Sequence, residues 1–254
     1  MLRDVLLLAA LALLVSPGHA SAQEAPREFI LQSTDGISVH AYEFRGPVEE
    51  APYILLFHQG GSNALGEYAT IAPRLVTNGY HVLAIDQRSG GGLFDGRNRT
   101  VEGLGASAES YCTPIADLEA ALDYAGERSP GQKAIVWGSS YSAALVVQLA
   151  DRRPADIAGV LAFSPATGEP MEGCRPEAAA GRLSVPLFAV RPGREAAIES
   201  VATQLQTLRD QGHEVHVFEP GVHGSSTLVA SRVQSDVEAY WTHVLTFLDR
   251  LETR

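Results

Sequence analysis

Short apolar runs alternate with helical patterns along most of this chain. Glu28–Gln32 and Ile37–Phe44 alternate apolar and polar residues on either side of Asp35-Gly36, which predicts an opening β-hairpin. Tyr53–Phe57 and His81–Ile85 are apolar runs of strand length. Between them, Tyr68–Asn78 has helical spacing, with Gly79 as a stop. Ser89 to Gly105 is Gly-rich and polar and predicts a long surface loop. Thr113 stands where it can cap a helix, with Pro114 in the first turn, running to about Tyr124. The pattern then predicts a strand Lys133–Trp137, a helix Tyr141–Asp151, a strand Ile157–Phe163 and an irregular connection Ser164–Leu183. A strand Val185–Val190, a helix Glu195–Gln211, a strand Glu214–Phe218 and an amphipathic last helix Ser235–Leu251 complete the order. A hairpin followed by strand–helix alternation implies an α/β class, with a mostly parallel sheet and helices on both faces.

Length and composition narrow the picture. The 254 residues, 45% of them apolar, suit one domain, expected over residues 23–254. A formal charge of −11 disfavours phosphate backbones and anionic lipid heads, so nucleic acid is not an expected partner. The first residues read as a secretory signal peptide, residues 1–22. Arg3 opens it, an apolar run of about ten residues (Val5–Val15) follows, then Ser16-Pro17-Gly18 and the small triplet Ala20-Ser21-Ala22. That run is short of the roughly 20 residues a spanning helix needs, so a periplasmic or extracellular location without stable membrane insertion is expected. Cys112 and Cys174 are the two cysteines. In an exported chain an even count permits a disulfide, with two free thiols as the alternative. No metal-ligand spacing or dinucleotide or phosphate-loop signature is present, so no cofactor is implied.

The sharpest chemical signal is Gly138-Ser139-Ser140-Tyr141-Ser142, which joins the strand Lys133–Trp137 to the helix starting at Tyr141. A tight strand–turn–helix of this kind lifts one serine above the strand ends, and the small flanking residues let the helix pack close. The spacing selects Ser140, which has Gly138 two residues before it. A serine hydroxyl needs a base, and His223 lies in the turn-rich Pro220-Gly221-Val222-His223-Gly224 after the strand Glu214–Phe218. His213, His216 and His243 fall at a strand start, within a strand and on the last helix, which are poorer positions.

In these motifs the chain resembles the α/β-hydrolase superfamily, over about Glu28 to Leu251, with Gly-x-Ser-x-Ser in place of Gly-x-Ser-x-Gly. The resemblance implies a Ser–acid–His order, and so an acid after the strand Val185–Val190. Glu195 is its candidate, with Glu199 one turn further on as the substitute. It also implies an oxyanion hole from the backbone of Tyr141 and of Gly60 or Gln59, in His58-Gln59-Gly60-Gly61 after the third strand. Asp86 and Arg88 resemble a structural turn of the superfamily, and His58 reads as structural too. About twenty residues separate the strands around Ser164 and Val185, too few for a large cap domain. The organisation therefore looks like the small lid-less members, the dienelactone-hydrolase-like and esterase-like group, with serine as nucleophile. In that layout Cys112 and Cys174 lie at the same end of the sheet, and a bridge between them would pin the rim of the site. The expected function is an exported serine hydrolase that cleaves a small-molecule carboxylic ester through an acyl-enzyme. Amide, peptide or thioester hydrolysis, and a non-catalytic binding protein on the same scaffold, are the alternatives.

Overall fold

The computed structural model describes residues 25–105 and 110–252; the expected signal segment lies outside them. Strands β1 (Arg27–Gln32) and β2 (Ser38–Phe44) form the predicted hairpin. They join β3 (Tyr53–Phe57), β4 (His81–Ile85), β5 (Ala134–Ser139), β6 (Ile157–Phe163), β7 (Leu187–Pro192) and β8 (Glu214–Phe218) in one eight-stranded sheet. Its order is β1-β2-β4-β3-β5-β6-β7-β8, antiparallel up to the β2–β4 pair and parallel from there on. This is the α/β-hydrolase architecture.

The helices are α1 (Ala64–Tyr68), α2 (Ala72–Thr77), α3 (Arg99–Leu104), α4 (Ile115–Arg128), α5 (Tyr141–Arg152), α6 (Glu177–Ala180), α7 (Gly193–Ala196), α8 (Glu199–Asp210), α9 (Ala230–Val233) and α10 (Glu238–Glu252). The central strands are apolar on both faces because helices cover both. Along β3, Tyr53, Leu55 and Phe57 pack towards α4 and α5, while Ile54 and Leu56 pack into the opposite layer with α2 and α10. Trp137 of β5 stacks on Phe163 of β6, with ring centroids 4.7 Å apart, at the centre of that second layer.

The expected strands Val185–Val190 and Lys133–Trp137 are shifted to Leu187–Pro192 and Ala134–Ser139, the last helix starts at Glu238, and four elements differ more deeply from the sequence expectation. The single helix Tyr68–Asn78 is two short helices, because Asn63 accepts a hydrogen bond from Gly66 N (2.6 Å) and starts a turn earlier. Thr113 does not cap α4: its hydroxyl donates back to Ser110 O (2.8 Å), and the helix starts at Ile115. The loop after Ser89 contains α3, capped by Asn98 through Val101 N (2.9 Å). The helix from Glu195 is interrupted at Ile198, whose backbone is extended (ψ 126°), leaving α7 as a separate turn directly on the end of β7. Between β6 and β7 the chain holds only a 3-10 turn, Glu169–Met171, and the one-turn α6, so no large cap covers the strand ends.

Candidate active site

Ser140 sits between β5 and α5 with φ 62° and ψ −120°, a conformation costly for any residue with a Cβ. Two features force this turn. Ser140 N donates to Phe163 O of β6 (2.8 Å), and Ser140 O accepts from Ala166 N (3.0 Å). A Cβ at position 138 would come within 2.3 Å of Ser142 O, so only glycine lets α5 close on the strand. Ser142 occupies the place of the usual second glycine. Its buried hydroxyl donates to His58 O (2.5 Å) and accepts from Gln87 Nε2 (2.6 Å), tying α5 to the loops after β3 and β4.

Those loops are held from within. His58 is fully buried, and burial lowers its imidazole to about 4, so it is neutral at ordinary pH. Its Nε2 accepts from Gln87 N (3.0 Å), which leaves Nδ1–H to donate to Gln59 O (2.8 Å). Asp86 accepts from Ala64 N and Arg99 N (2.8 Å each), while Arg88 pairs with buried Asp117 (2.6 Å) and with Asp35. These three residues bind protein groups on every side, as structural residues do.

One oxyanion candidate is already committed. Gln59 N donates to Glu67 Oε2 (2.8 Å), so the two candidate donors become one, Gly60. Among the described residues neither Gly60 N nor Tyr141 N donates an intramolecular hydrogen bond. Glu67 is wholly buried, which pushes its carboxyl up, and nothing in the periodicity around it signals this contact.

On the other side, His223 Nδ1 hydrogen-bonds Glu195 Oε1 (2.6 Å). Glu195 Oε2 accepts from Arg191 Nη1 (2.9 Å), and Arg191 also donates to Gln204 Oε1 (2.7 Å) and Pro165 O. Burial opposes the charge on Glu195. The hydrogen bonds and positive charge of His223 and Arg191 outweigh it and hold the carboxyl at about 2. Glu199, the substitute acid, opens α8 and is exposed. The histidine turn is anchored from behind: Gly224 N donates to Ser164 Oγ and Ser225 N to Ser139 Oγ, both at 3.0 Å. Gly224 has φ +68°, and a Cβ there would meet Ser139 Oγ at 2.1 Å. His213, His216 and His243 bond or pack elsewhere, His213 on Ala180 O and the other two against each other.

Ser140, His223, Gly60, Gln59 and Tyr141 line one pocket of about 570 Å³. No hydrogen bond joins Ser140 to His223 among the described residues, and such contacts commonly tighten only with substrate bound. Cys112 and Cys174 form a disulfide, Cα–Cα 5.7 Å, beside this pocket: Tyr111 and Met171, close to the two cysteines, line it. No group of three or more His, Cys, Asp or Glu residues among the described ones is arranged to hold a metal ion.

The fold recurs in solved structures. The Pyrococcus furiosus esterase Pf2001 is 16% identical, with TM-score 0.68 over 89% of this chain and 91% of its own. A thermostable carboxyl esterase from Bacillus coagulans is 12% identical, TM-score 0.68, over 90% and 99%. Pyrococcus horikoshii acylaminoacyl peptidase is 15% identical, TM-score 0.63, with 90% of this chain matching 42% of that one. No curated protein sequence matches the chain. The model of the serine aminopeptidase S33 hydrolases matches residues 49–191, more than half of the sequence, and the chain belongs to that hydrolase family.

Proposed function

We propose that the protein is an exported serine hydrolase of carboxylic esters, with Ser140 as nucleophile, His223 as base and Glu195 as the acid. The observation that carries this reading is the Glu195–His223 hydrogen bond (2.6 Å), at the mouth of a pocket that also holds a serine in a strained backbone turn. His223 Nε2 takes the Ser140 proton as Oγ attacks the carbonyl carbon. Gly60 and Tyr141 N–H groups receive the oxyanion, helped by the N-terminus of α5. Glu195 keeps the proton on Nδ1 and stabilises the imidazolium. His223 then protonates the leaving atom, and water repeats the sequence on the acyl-enzyme.

Residues 1–22 are read as a cleaved export signal and 23–254 as one catalytic domain. The Cys112–Cys174 bridge supports passage to an oxidising compartment, and no helix among the described residues is long and apolar enough to cross a membrane. The test is a fluorophosphonate probe together with p-nitrophenyl acetate and butyrate, applied to the protein and to Ser140→Ala. Labelling and turnover are expected in the first and not in the second. Equal labelling of both would place the nucleophile elsewhere, and a folded parent that neither labels nor turns over would be a binding protein.

A further inference from the structure

Glu67 is a buried acid that the reaction as written does not use. It is fully buried on α1, whose other buried residues, Ala64 and Tyr68, belong to the apolar layer beneath. A carboxyl taken wholly out of water is costly unless its oxygens are used. One of them is: Oε2 accepts from Gln59 N (2.8 Å). Oε1 is buried without a hydrogen-bond partner among the described residues. Burial pushes the carboxyl up, while the Ser139 hydroxyl and the Gln59 N–H favour its charge. The backbone that carries this side chain is fixed. Glu67 N donates to Asn63 O (3.1 Å), and Arg232 Nη1 of α9 donates to Glu67 O (3.2 Å). The Tyr68 hydroxyl donates to Phe57 O (2.7 Å), which fastens α1 to the end of β3.

Gln59 is held through both of its backbone polar groups. Its N–H goes to Glu67, and its carbonyl accepts from His58 Nδ1 (2.8 Å) and from Ser62 N (3.1 Å). That carbonyl and the Gly60 N–H belong to one peptide group. The group is trans and planar, so the two point in opposite directions. Glycine has little conformational preference of its own. The aim of the Gly60 N–H is therefore set by what holds Gln59. Removing the Glu67 oxygen would leave the Gln59 N–H buried and unpaired, and rotating that peptide to find a new partner would swing the next one with it.

We propose that Glu67 is a positioning residue for oxyanion stabilisation: by taking the Gln59 N–H it holds the peptide that presents the Gly60 N–H to the pocket beside Ser140. The role needs an oxygen acceptor at that point and not a charge. A negative charge there would oppose the oxyanion that Gly60 receives. This rests on the serine-hydrolase reading above.

The test ranks Glu67→Gln, Glu67→Asp and Glu67→Leu by kcat on p-nitrophenyl butyrate. Each kcat is counted per site labelled by the fluorophosphonate probe at completion, so that any unfolded fraction drops out. Glu67→Gln keeps an oxygen in place, Glu67→Asp keeps the carboxyl but withdraws it by a methylene, and Glu67→Leu removes the acceptor. The expected kcat is within about threefold of the parent for Gln, about tenfold lower for Asp and about 10²-fold lower for Leu, with KM moving less than about threefold. Propyl trifluoromethyl ketone, whose adduct with Ser140 places an oxyanion in the same hole, should weaken in Ki by comparable factors. A purely structural role would leave kcat per site and Ki unchanged, and that result overturns the proposal. An order with Asp above Gln also overturns it, because the charge would then be what matters. If Glu67→Leu fails to fold, the order of the other two decides. A folded parent with neither labelling nor turnover overturns the hydrolase reading and this proposal with it.

Discussion

The two sides of His223 are built from different materials. Towards Ser140 the site is buried backbone and small uncharged groups: a serine at φ 62°, Gly138 against Ser142 O, and Ser142 locking two loops. Towards Glu195 it is long polar and charged side chains from four elements, Glu195 on the four-residue α7 with Arg191 of β7, Gln204 of α8 and Glu177 of α6 in series behind it. Sterics hold the first side and electrostatics the second. A steric site has few sequence solutions, whereas a Coulombic one can be met by several carboxylate positions, because charge acts over several ångströms.

The largest break in this comparison is Glu195→Gln. It keeps the shape and removes the charge, and it is expected to lower kcat on p-nitrophenyl butyrate by about 10³–10⁴-fold. An unchanged kcat would move the acid to another residue. Gly138→Ala tests the steric side. The new Cβ would sit 2.3 Å from Ser142 O, and displacing α5 to relieve it is expected to cost about 10²-fold in kcat through a misplaced Ser140 and Tyr141. Activity at parental level would show that the elbow gives more readily than its contacts imply. The smallest effect sharpens the electrostatic side. Glu195 is held at about 2, below its unfolded value, so the stability it contributes is complete above about pH 5 and is lost as pH falls towards 2. Thermal midpoints of the protein and Glu195→Gln should therefore differ most near neutrality and converge near pH 2, and kcat/KM should show no Glu195 inflection above about pH 4. A difference that persists at pH 2 would mean the carboxyl is not held low by His223 and Arg191.

The same contrast explains what could be read from the sequence. The central strands were plain because apolar runs of five to seven residues must be covered on both faces, and β3, β4 and β6 lie where the pattern puts them, as does the half-exposed edge strand β8, which reads by alternation instead. Ser140 and His223 follow from local turn chemistry. Short-range patterns carried less information where a distant partner decides. Glu195 belongs to a separate turn because Arg191 and His223 hold its carboxylate at the end of β7, while periodicity alone runs it into α8. Gln59 loses its N–H to Glu67, a helix residue eight positions on, and no spacing rule announces that. The sequence pattern ends the strand at Val190 and leaves Arg191 in the turn after it, whereas β7 runs on to Pro192. The structure gives it a buried place between Glu195 and Gln204.

The bridge between Cys112 and Cys174 also changes the topology of the molecule. It closes a covalent ring around α4, β5, Ser140, α5 and β6. A protease that nicks the chain once anywhere inside that ring releases nothing: the two halves stay on one molecule, each still carrying part of the sheet. Only a reductant then separates them. Ser140, the proposed nucleophile, thus travels in a segment whose two ends are fastened to each other, while His223 and Glu195 lie on the chain outside it.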